Sequence, residues 1–137
     1  MNVLVDTSIW VGHFKQRNKH LVTLLESGMV VCHPFVVVEV ACGTPPSRRA
    51  VISMLGLLES TPVATTDELL ETIERRKLGG RGCGFVDVSL LVSALLAGQT
   101  LIWTWDKRLE SAAAELGRSY QPALHPRERE RQSLEPT

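Results

Sequence analysis

Residues 2–8 read Asn-Val-Leu-Val-Asp-Thr-Ser, which places a carboxylate directly after a short apolar stretch and just before two hydroxyl residues. The apolar stretch predicts a buried strand, and Thr7 and Ser8 favour the start of a helix. In open α/β sheets, ligands bind in the crevice beyond the carboxyl ends of the strands. Asp6 is therefore expected where a substrate or an ion would bind.

Strand-like and helix-like segments alternate along the chain, which predicts an α/β fold with a mainly parallel sheet covered by helices on both faces. The predicted strands are 2–5, 29–32, an edge strand at 62–64, 100–104 and a final strand near Tyr120. The predicted helices are 8–16, 18–27, 34–42, 47–60, 66–77, 85–97 and 107–116. The segment 34–42 is rich in valine, as a strand would be, but Pro34 in a first turn and Gly43 after the end favour a helix.

Length and composition fit one domain with one core, because 44% of the 137 residues are hydrophobic. We expect this domain at 1–124, followed at 125–137 by a charged tail that is disordered or binds a partner. The 15 basic and 15 acidic residues balance, so net charge indicates neither nucleic acid nor membrane. No segment approaches the ~20 apolar residues of a membrane span. The cysteines form no CxxC pair, which favours reduced thiols in the cytoplasm.

Three further acids share the apolar setting of Asp6, namely Glu39, Asp87 and Asp106. The three aspartates lie near predicted helix starts, where an aspartate commonly caps the helix. Glu39 lies within a valine run, so it must either point to solvent or lose the hydration of its charge, and an unpaired buried carboxylate is costly. If the four acids converge, their repulsion raises their pKa values unless cations neutralise them. Such oxygen ligands suit Mg²⁺ or Mn²⁺, which activate water for attack on phosphorus, so the acids predict phosphodiester hydrolysis.

Four motifs together resemble a known family. They are Asp-Thr-Ser at 6–8, Val-Val-Val-Glu-Val-Ala-Cys-Gly at 36–43, the helix start around Asp87, and Thr-Trp-Asp-Lys-Arg-Leu at 104–109. Their order and spacing closely resemble the PIN domain, specifically the VapC-type toxin ribonucleases of bacterial type II toxin–antitoxin pairs. The resemblance covers residues 1 to about 122.

This resemblance implies a three-layer α/β/α sandwich around a five-stranded sheet and a metal-dependent endoribonuclease that uses Mg²⁺ or Mn²⁺. It also implies a homodimer and a cognate VapB-like antitoxin that blocks the site. The implied catalytic acids are Asp6, Glu39, Asp87 and Asp106, of which the three aspartates are the implied metal ligands. Ser8 and Thr104 are implied as supporting hydroxyls, although a helix cap or a strand-end hydrogen bond would also account for them.

Basic and aromatic residues beside the predicted site are candidates for contact with RNA. Arg81 lies in a glycine-rich loop before Asp87, and Lys107 and Arg108 directly follow Asp106, so we expect all three to contact phosphates. Trp105 either packs against the domain or stacks on an RNA base.

Two other classes of protein share features of this sequence. A catalytically silent PIN-like binding module that acts through its antitoxin stays open, although the intact set of four acids argues against it. A phosphatase of the haloacid-dehalogenase kind needs a second aspartate two positions after Asp6, where this chain has Ser8. Neither a P-loop nor a Rossmann glycine motif is present.

Overall fold

The computed structural model describes residues 1–122, and the predicted tail at 125–137 lies outside them. The strands are β1 (Asn2–Val5), β2 (Val30–Cys32), β3 (Glu59–Ser60) and β4 (Thr100–Trp103). The helices are α1 (Thr7–Lys15), α2 (Lys19–Glu26), α3 (Pro34–Cys42), α4 (Arg48–Leu57), α5 (Thr66–Arg76), α6 (Phe85–Ala97) and α7 (Lys107–Glu115). The α/β fold expected from the sequence is confirmed.

The four strands form one parallel sheet in the order β3-β2-β1-β4. From β1 the chain moves outward through β2 to β3, and then crosses to the opposite edge for β4. The strand order therefore reverses beside β1, and such a switch point opens a crevice at the carboxyl ends of the strands. Asp6 follows β1 and Thr104 follows β4, so both lie at this crevice.

Helices cover both faces of the sheet. Connections between parallel strands are right-handed, so the face on which a connecting helix lies depends on the direction in which the chain moves across the sheet. The connection from β3 to β4 runs in the opposite direction to the two before it, which places α5 and α6 on the face opposite α1 to α4. On one side α1 packs against α3 and α3 against α4. On the other side α5 packs against α6, which contacts β4 together with α7.

The prediction of five strands is wrong for the described residues, which form four. Near Tyr120 a single parallel bridge joins Ser119 to Ile102. Ile102 N donates to Arg118 O at 2.6 Å, and Tyr120 N donates to Ile102 O at 2.8 Å. Pro122 follows two residues after Tyr120 and has no backbone N–H to continue such a ladder.

The edge strand predicted at 62–64 is also wrong, because the third strand is β3 at Glu59–Ser60. These two residues were predicted as the end of a helix, which instead stops at Leu57. Pairing continues as far as Thr61, whose N–H donates to Cys32 O at 3.1 Å. It ends there because Pro62 has no N–H to donate.

The valine-rich segment forms the predicted helix, α3, with Pro34 in its first turn. His33 precedes it, and its Nδ1 accepts a hydrogen bond from Phe35 N at 3.0 Å. Val36 and Val40 are buried on the inner face, whereas Val38 is 58% exposed on the outer one. One face of α3 thus supplies the apolar contacts that outweigh the strand preference of valine.

No helix within residues 1–122 has both the length and the apolar character that crossing a membrane demands.

We expect His33 to make stability depend on pH. Burial lowers the pKa of His33 below its ordinary value of 6.5, and the hydrogen bond from Phe35 N requires an unprotonated Nδ1. The unfolded chain then binds the proton more tightly, so the stabilisation is complete above pH 6.5 and is lost as the pH falls below it.

Urea unfolding from about pH 7 to about pH 5 should give a falling free energy of unfolding. His33→Asn keeps a capping acceptor without a titrating group, so its curve should be flatter. A residual slope comes from the other groups with shifted pKa values: His13, whose pKa is also lowered by burial, adds to the fall, and Asp87, whose pKa is raised, opposes it. Parallel curves for parent and variant would contradict this assignment.

Candidate active site

Asp6 is the fixed point of the candidate site. It is buried, with 6% of its surface exposed, and its N–H donates to Trp103 O at 2.9 Å. Its Oδ2 accepts hydrogen bonds from Ser8 Oγ at 2.9 Å and from Thr104 Oγ1 at 2.7 Å. Asp6 stands at the N-cap position of α1 but its side chain makes no capping bond there, so the capping interpretation is wrong for this residue.

Ser8 and Thr104 connect Asp6 to the last acidic motif. Trp105 N donates to Ser8 Oγ at 3.1 Å, and Asp106 N donates to Thr104 Oγ1 at 3.0 Å. The two hydroxyls therefore hold the backbone after β4 while they donate to the Asp6 carboxylate. Both supporting hydroxyls expected from the sequence are next to Asp6, and each contacts both motifs.

Asp106 caps a helix and also faces the site. Its Oδ1 accepts hydrogen bonds from Arg108 N at 2.9 Å and from Leu109 N at 3.1 Å, so the capping interpretation is right for this residue. The cap uses only Oδ1, so Oδ2 accepts no hydrogen bond from the described residues.

Asp87 belongs to the same electrostatic cluster. Its Oδ2 accepts a hydrogen bond from Gly84 N at 3.3 Å. Burial raises the pKa of Asp87 above its ordinary value, and the bond from Gly84 opposes this shift. Further increases in the pKa come from the negative charges of the other three acids, in the order Asp6, Asp106 and Glu39. The negative charges of the other three predicted acids therefore reach Asp87.

Glu39 reaches this cluster from α3. Its Oε1 accepts a hydrogen bond from Thr7 Oγ1 at 2.7 Å. The side chain is exposed, so the valine run packs inward while the glutamate faces the crevice. Thr7 is a site residue that the sequence analysis did not identify. Its position next to Asp6 was the available signal.

We name the carboxylates of Asp6, Glu39, Asp87 and Asp106 the acid cluster. Each has one oxygen that accepts a hydrogen bond, and within residues 1–122 the second oxygen accepts none. Neither of the two ion pairs found in that part of the chain involves these carboxylates. The cluster therefore combines hard oxygen donors with uncompensated negative charge, which is what a divalent cation requires.

The carboxylates are not gathered tightly in this structure. In the described part of the chain, no three Asp, Glu, His or Cys side chains are grouped closely enough to hold a metal ion. Asp6 is fixed by two hydroxyls, whereas Glu39 and Asp106 are exposed and can turn their unbonded oxygens inward. The cluster fits a divalent cation by donor type and by charge, and binding requires these side chains to draw together.

The three predicted RNA contacts lie close to the acid cluster. The charges of Arg81 and Arg108 act on the thiol of Cys83, as do those of two of the clustered aspartates. Arg81 already pairs with Glu115 through both guanidinium nitrogens. The Arg108 side chain lies over Gly82, and Lys107 is exposed in the first turn of α7.

A second basic group was missed by the sequence analysis. Lys15, Arg17 and Lys19 line a groove that Trp105 also lines. The available signal was three cations within five residues where one predicted helix ends and the next begins, which indicates a local positive surface in a chain of zero net charge.

We expect Asp87→Asn to raise the midpoint of thermal unfolding by a few degrees in EDTA, because it removes a half-buried charge repelled by three others. Lowering the pH should reduce the difference in midpoint between parent and variant. Because the pKa of Asp87 is raised, its protonation stabilises the folded parent, whereas the variant has no carboxyl group there to protonate. Excess Mn²⁺ should stabilise the parent more than the variant. Asp67→Asn, in the exposed first turn of α5, is the control and should show no gain. A lower midpoint for Asp87→Asn in EDTA would disprove repulsion at this position.

Comparison with known proteins agrees with this geometry. The PIN domain family model matches residues 3–115, which include the whole acid cluster. Two Mycobacterium tuberculosis proteins named Ribonuclease VapC32, from strains CDC 1551 / Oshkosh and ATCC 25618 / H37Rv, are each 45% identical over 115 residues. That alignment covers 84% of this chain and 93% of each relative. The chain therefore belongs to the PIN-domain family and is of the VapC type.

Proposed function

We propose that this chain is a Mg²⁺- or Mn²⁺-dependent endoribonuclease, the toxin of a toxin–antitoxin pair, which hydrolyses phosphodiester bonds in RNA. The observation that carries the proposal is the acid cluster, four carboxylates without basic partners in residues 1–122 at the switch point of the sheet. The ribonuclease named among its relatives supports RNA as the substrate.

The protein groups hold the reacting parts in place. Asp6, Asp87 and Asp106 are the proposed metal ligands, and Glu39 completes the cluster from α3. A bound divalent ion supplies an activated water and neutralises charge on the reacting phosphate. Ser8 and Thr104 fix the Asp6 carboxylate in one orientation, so less ordering is needed when substrate binds.

RNA phosphates require positive charge next to this negative cluster. We assign Lys107 and Arg108 as phosphate contacts, because both are exposed at the start of α7 beside Asp106. The expected phosphate contact of Arg81 stays a prediction, since RNA would compete with Glu115 for its guanidinium. In its present pairing Arg81 ties the glycine-rich loop to α7.

Purified protein should cut single-stranded RNA in Mg²⁺ or Mn²⁺ and stop in EDTA. Asp6→Asn should lower the rate more than a hundredfold, because it keeps the shape of the fixed ligand but removes its charge. Thr104→Val should lower the rate less, by about tenfold, since it removes the hydrogen bonds that orient Asp6 and hold Asp106 N but leaves both carboxylates in place. Gel separation of end-labelled RNA measures both rates, with Asp67→Asn as the control.

Cleavage that persists in EDTA, after elemental analysis has confirmed metal removal, would refute metal dependence. Absence of cleavage with both metals and a range of RNAs would favour the silent binding module instead.

An apolar groove beside the acid cluster suits the antitoxin. It has a volume of about 410 Å³ and is lined by Val11, Phe14, Val40, Pro45 and Pro46, with Glu39 at the same surface. An amphipathic helix could bury its apolar face here and place an arginine on the neighbouring carboxylates, where bidentate pairing is favourable. We therefore propose that a VapB-like antitoxin occupies this groove and reaches the acid cluster.

The antitoxin complex should be weakened unequally by two substitutions. Asp87→Asn removes one partly hydrated charge and should lower affinity by up to about fivefold. Val11→Asp places a charge in the apolar groove and should lower the affinity for the antitoxin by a larger factor. Calorimetry in EDTA measures both, with Val63→Asp as the control at an exposed valine outside the groove. Parent-like affinity in Asp87→Asn would show that the antitoxin does not engage the acid cluster.

A second apolar surface supports the proposed homodimer. Between α5 and α6 a groove of about 350 Å³ is lined by Leu69, Leu70, Ile73, Phe85 and Val88. Leu70 is 61% exposed and Phe85 is 65% exposed. Contact of these apolar side chains with water is unfavourable unless a second copy of the chain covers them.

The proposed compartment is the cytoplasm, where the RNA substrate would be found. The free thiols Cys32, Cys42 and Cys83 support a reducing environment.

A further inference from the structure

Trp105 is exposed although it lies beside a buried strand. It has 56% of its surface exposed, whereas Trp10 and Trp103 have 0% and 4%. Leaving a large aromatic ring in water forgoes stabilisation that burial would supply. The exposed position is therefore a feature that the packing of the core does not explain.

The exposed ring is nevertheless held in one place. Trp105 N donates to Ser8 Oγ, which ties its backbone to the acid cluster. The far end of the ring rests against α1 at Gly12, where a Cβ atom would lie 2.2 Å from Cζ3 and 2.7 Å from Cη2. No residue larger than glycine fits there unless the ring moves. Gly12 thus lets the indole ring pack closely against α1, while most of the ring stays exposed to solvent.

A basic groove adjoins the ring. It has a volume of about 660 Å³, and its lining includes Trp105, Lys15, Arg17 and Lys19 but no acidic residue. Neither ion pair found within residues 1–122 involves these three cations. Lys15 ends α1, where the helix dipole favours a cation, but Lys19 begins α2, where the dipole disfavours one. Local helix stability therefore does not explain Lys19.

An open aromatic ring beside a positive groove has the chemistry of a single-strand nucleic-acid site. Bases stack on aromatic rings regardless of sequence, and cations along the groove contact the phosphates. Trp105 directly precedes Asp106, and its N–H donates to Ser8 Oγ, which itself donates to Asp6, so the groove lies next to the acid cluster. Six of the eight residues that line the groove carry polar or charged side chains, which suits RNA better than the apolar face of a protein helix.

We propose that Trp105 and the groove of Lys15, Arg17 and Lys19 form a binding subsite for single-stranded RNA next to the scissile phosphate. One base stacks on Trp105, and the adjoining phosphates bind the three cations. The proposal rests on the proposed function, because it takes RNA as the substrate. It assigns the missed cations and the exposed tryptophan to substrate binding.

The test is binding of a short, unstructured, fluorescein-labelled RNA in EDTA, measured by fluorescence anisotropy at several salt concentrations. Trp105→Leu should weaken binding by about 5- to 100-fold with an unchanged salt slope, because a stack is lost but no charge. Trp105→Phe keeps a ring and should stay within about threefold of the parent. Lys19→Gln should lower the salt slope by about 0.7, and Arg76→Gln on α5 is the matched control.

Gly12→Ala provides an independent check. Its added Cβ displaces the ring, so RNA binding should weaken in the parent. The same substitution should change nothing in the Trp105→Leu background. Alanine favours a helix more than glycine does, so thermal unfolding should show no loss of stability.

Parent-like affinity in Trp105→Leu, or equal losses in Trp105→Leu and Trp105→Phe, overturns the proposal. Losses confined to antitoxin binding also overturn it and assign the groove to an acidic segment of that protein. Cleavage assays in Mg²⁺ on the same samples separate the two levels. If the protein cuts RNA but binds it equally well without Trp105, the subsite is refuted and the nuclease proposal stands. If RNA binding depends on Trp105 but no RNA is cut, the nuclease proposal is refuted and the subsite stands.

Discussion

The buried hydrogen bond from Thr104 Oγ1 to Asp6 Oδ2, 2.7 Å long, is the contact on which the site depends. It joins the ends of β1 and β4, the two strands that flank the switch point, across 98 residues of sequence. Because Thr104 also accepts from Asp106 N, this one hydroxyl sets the positions of two acids. At this point the sheet holds the carboxylates near one another although their negative charges repel.

Much of the fold could be predicted because its local signals agree. All seven helices found in residues 1–122 were anticipated, including α3, where Pro34 and Gly43 outweighed the strand preference of the valines. The errors lie at the sheet edges, at β3 and near Tyr120. There strands are too short for alternation to be visible, and Pro62 and Pro122 determine where pairing ends.

The acids of the candidate site stood out in the sequence because each lies in or beside an apolar segment, although of the four only Asp6 is buried and Glu39 and Asp106 are exposed. What could not be predicted depends on distances between elements. The pairing of Arg81 with Glu115 joins residues 34 apart, and the contact of Trp105 with Gly12 joins a loop to a helix distant in sequence. The first pairing occupies a cation that RNA could otherwise bind, and the second contact holds an aromatic ring at the surface.

The separation of the acids along the chain has a consequence for synthesis. Asp6 emerges among the first residues and Asp106 among the last of the described domain, and β4 must pair with β1 before the two meet. A nascent chain therefore has no complete cluster until translation has passed Asp106. Products that end before β4, whether truncated or still attached to a ribosome, lack both the last carboxylate and the strand that positions it.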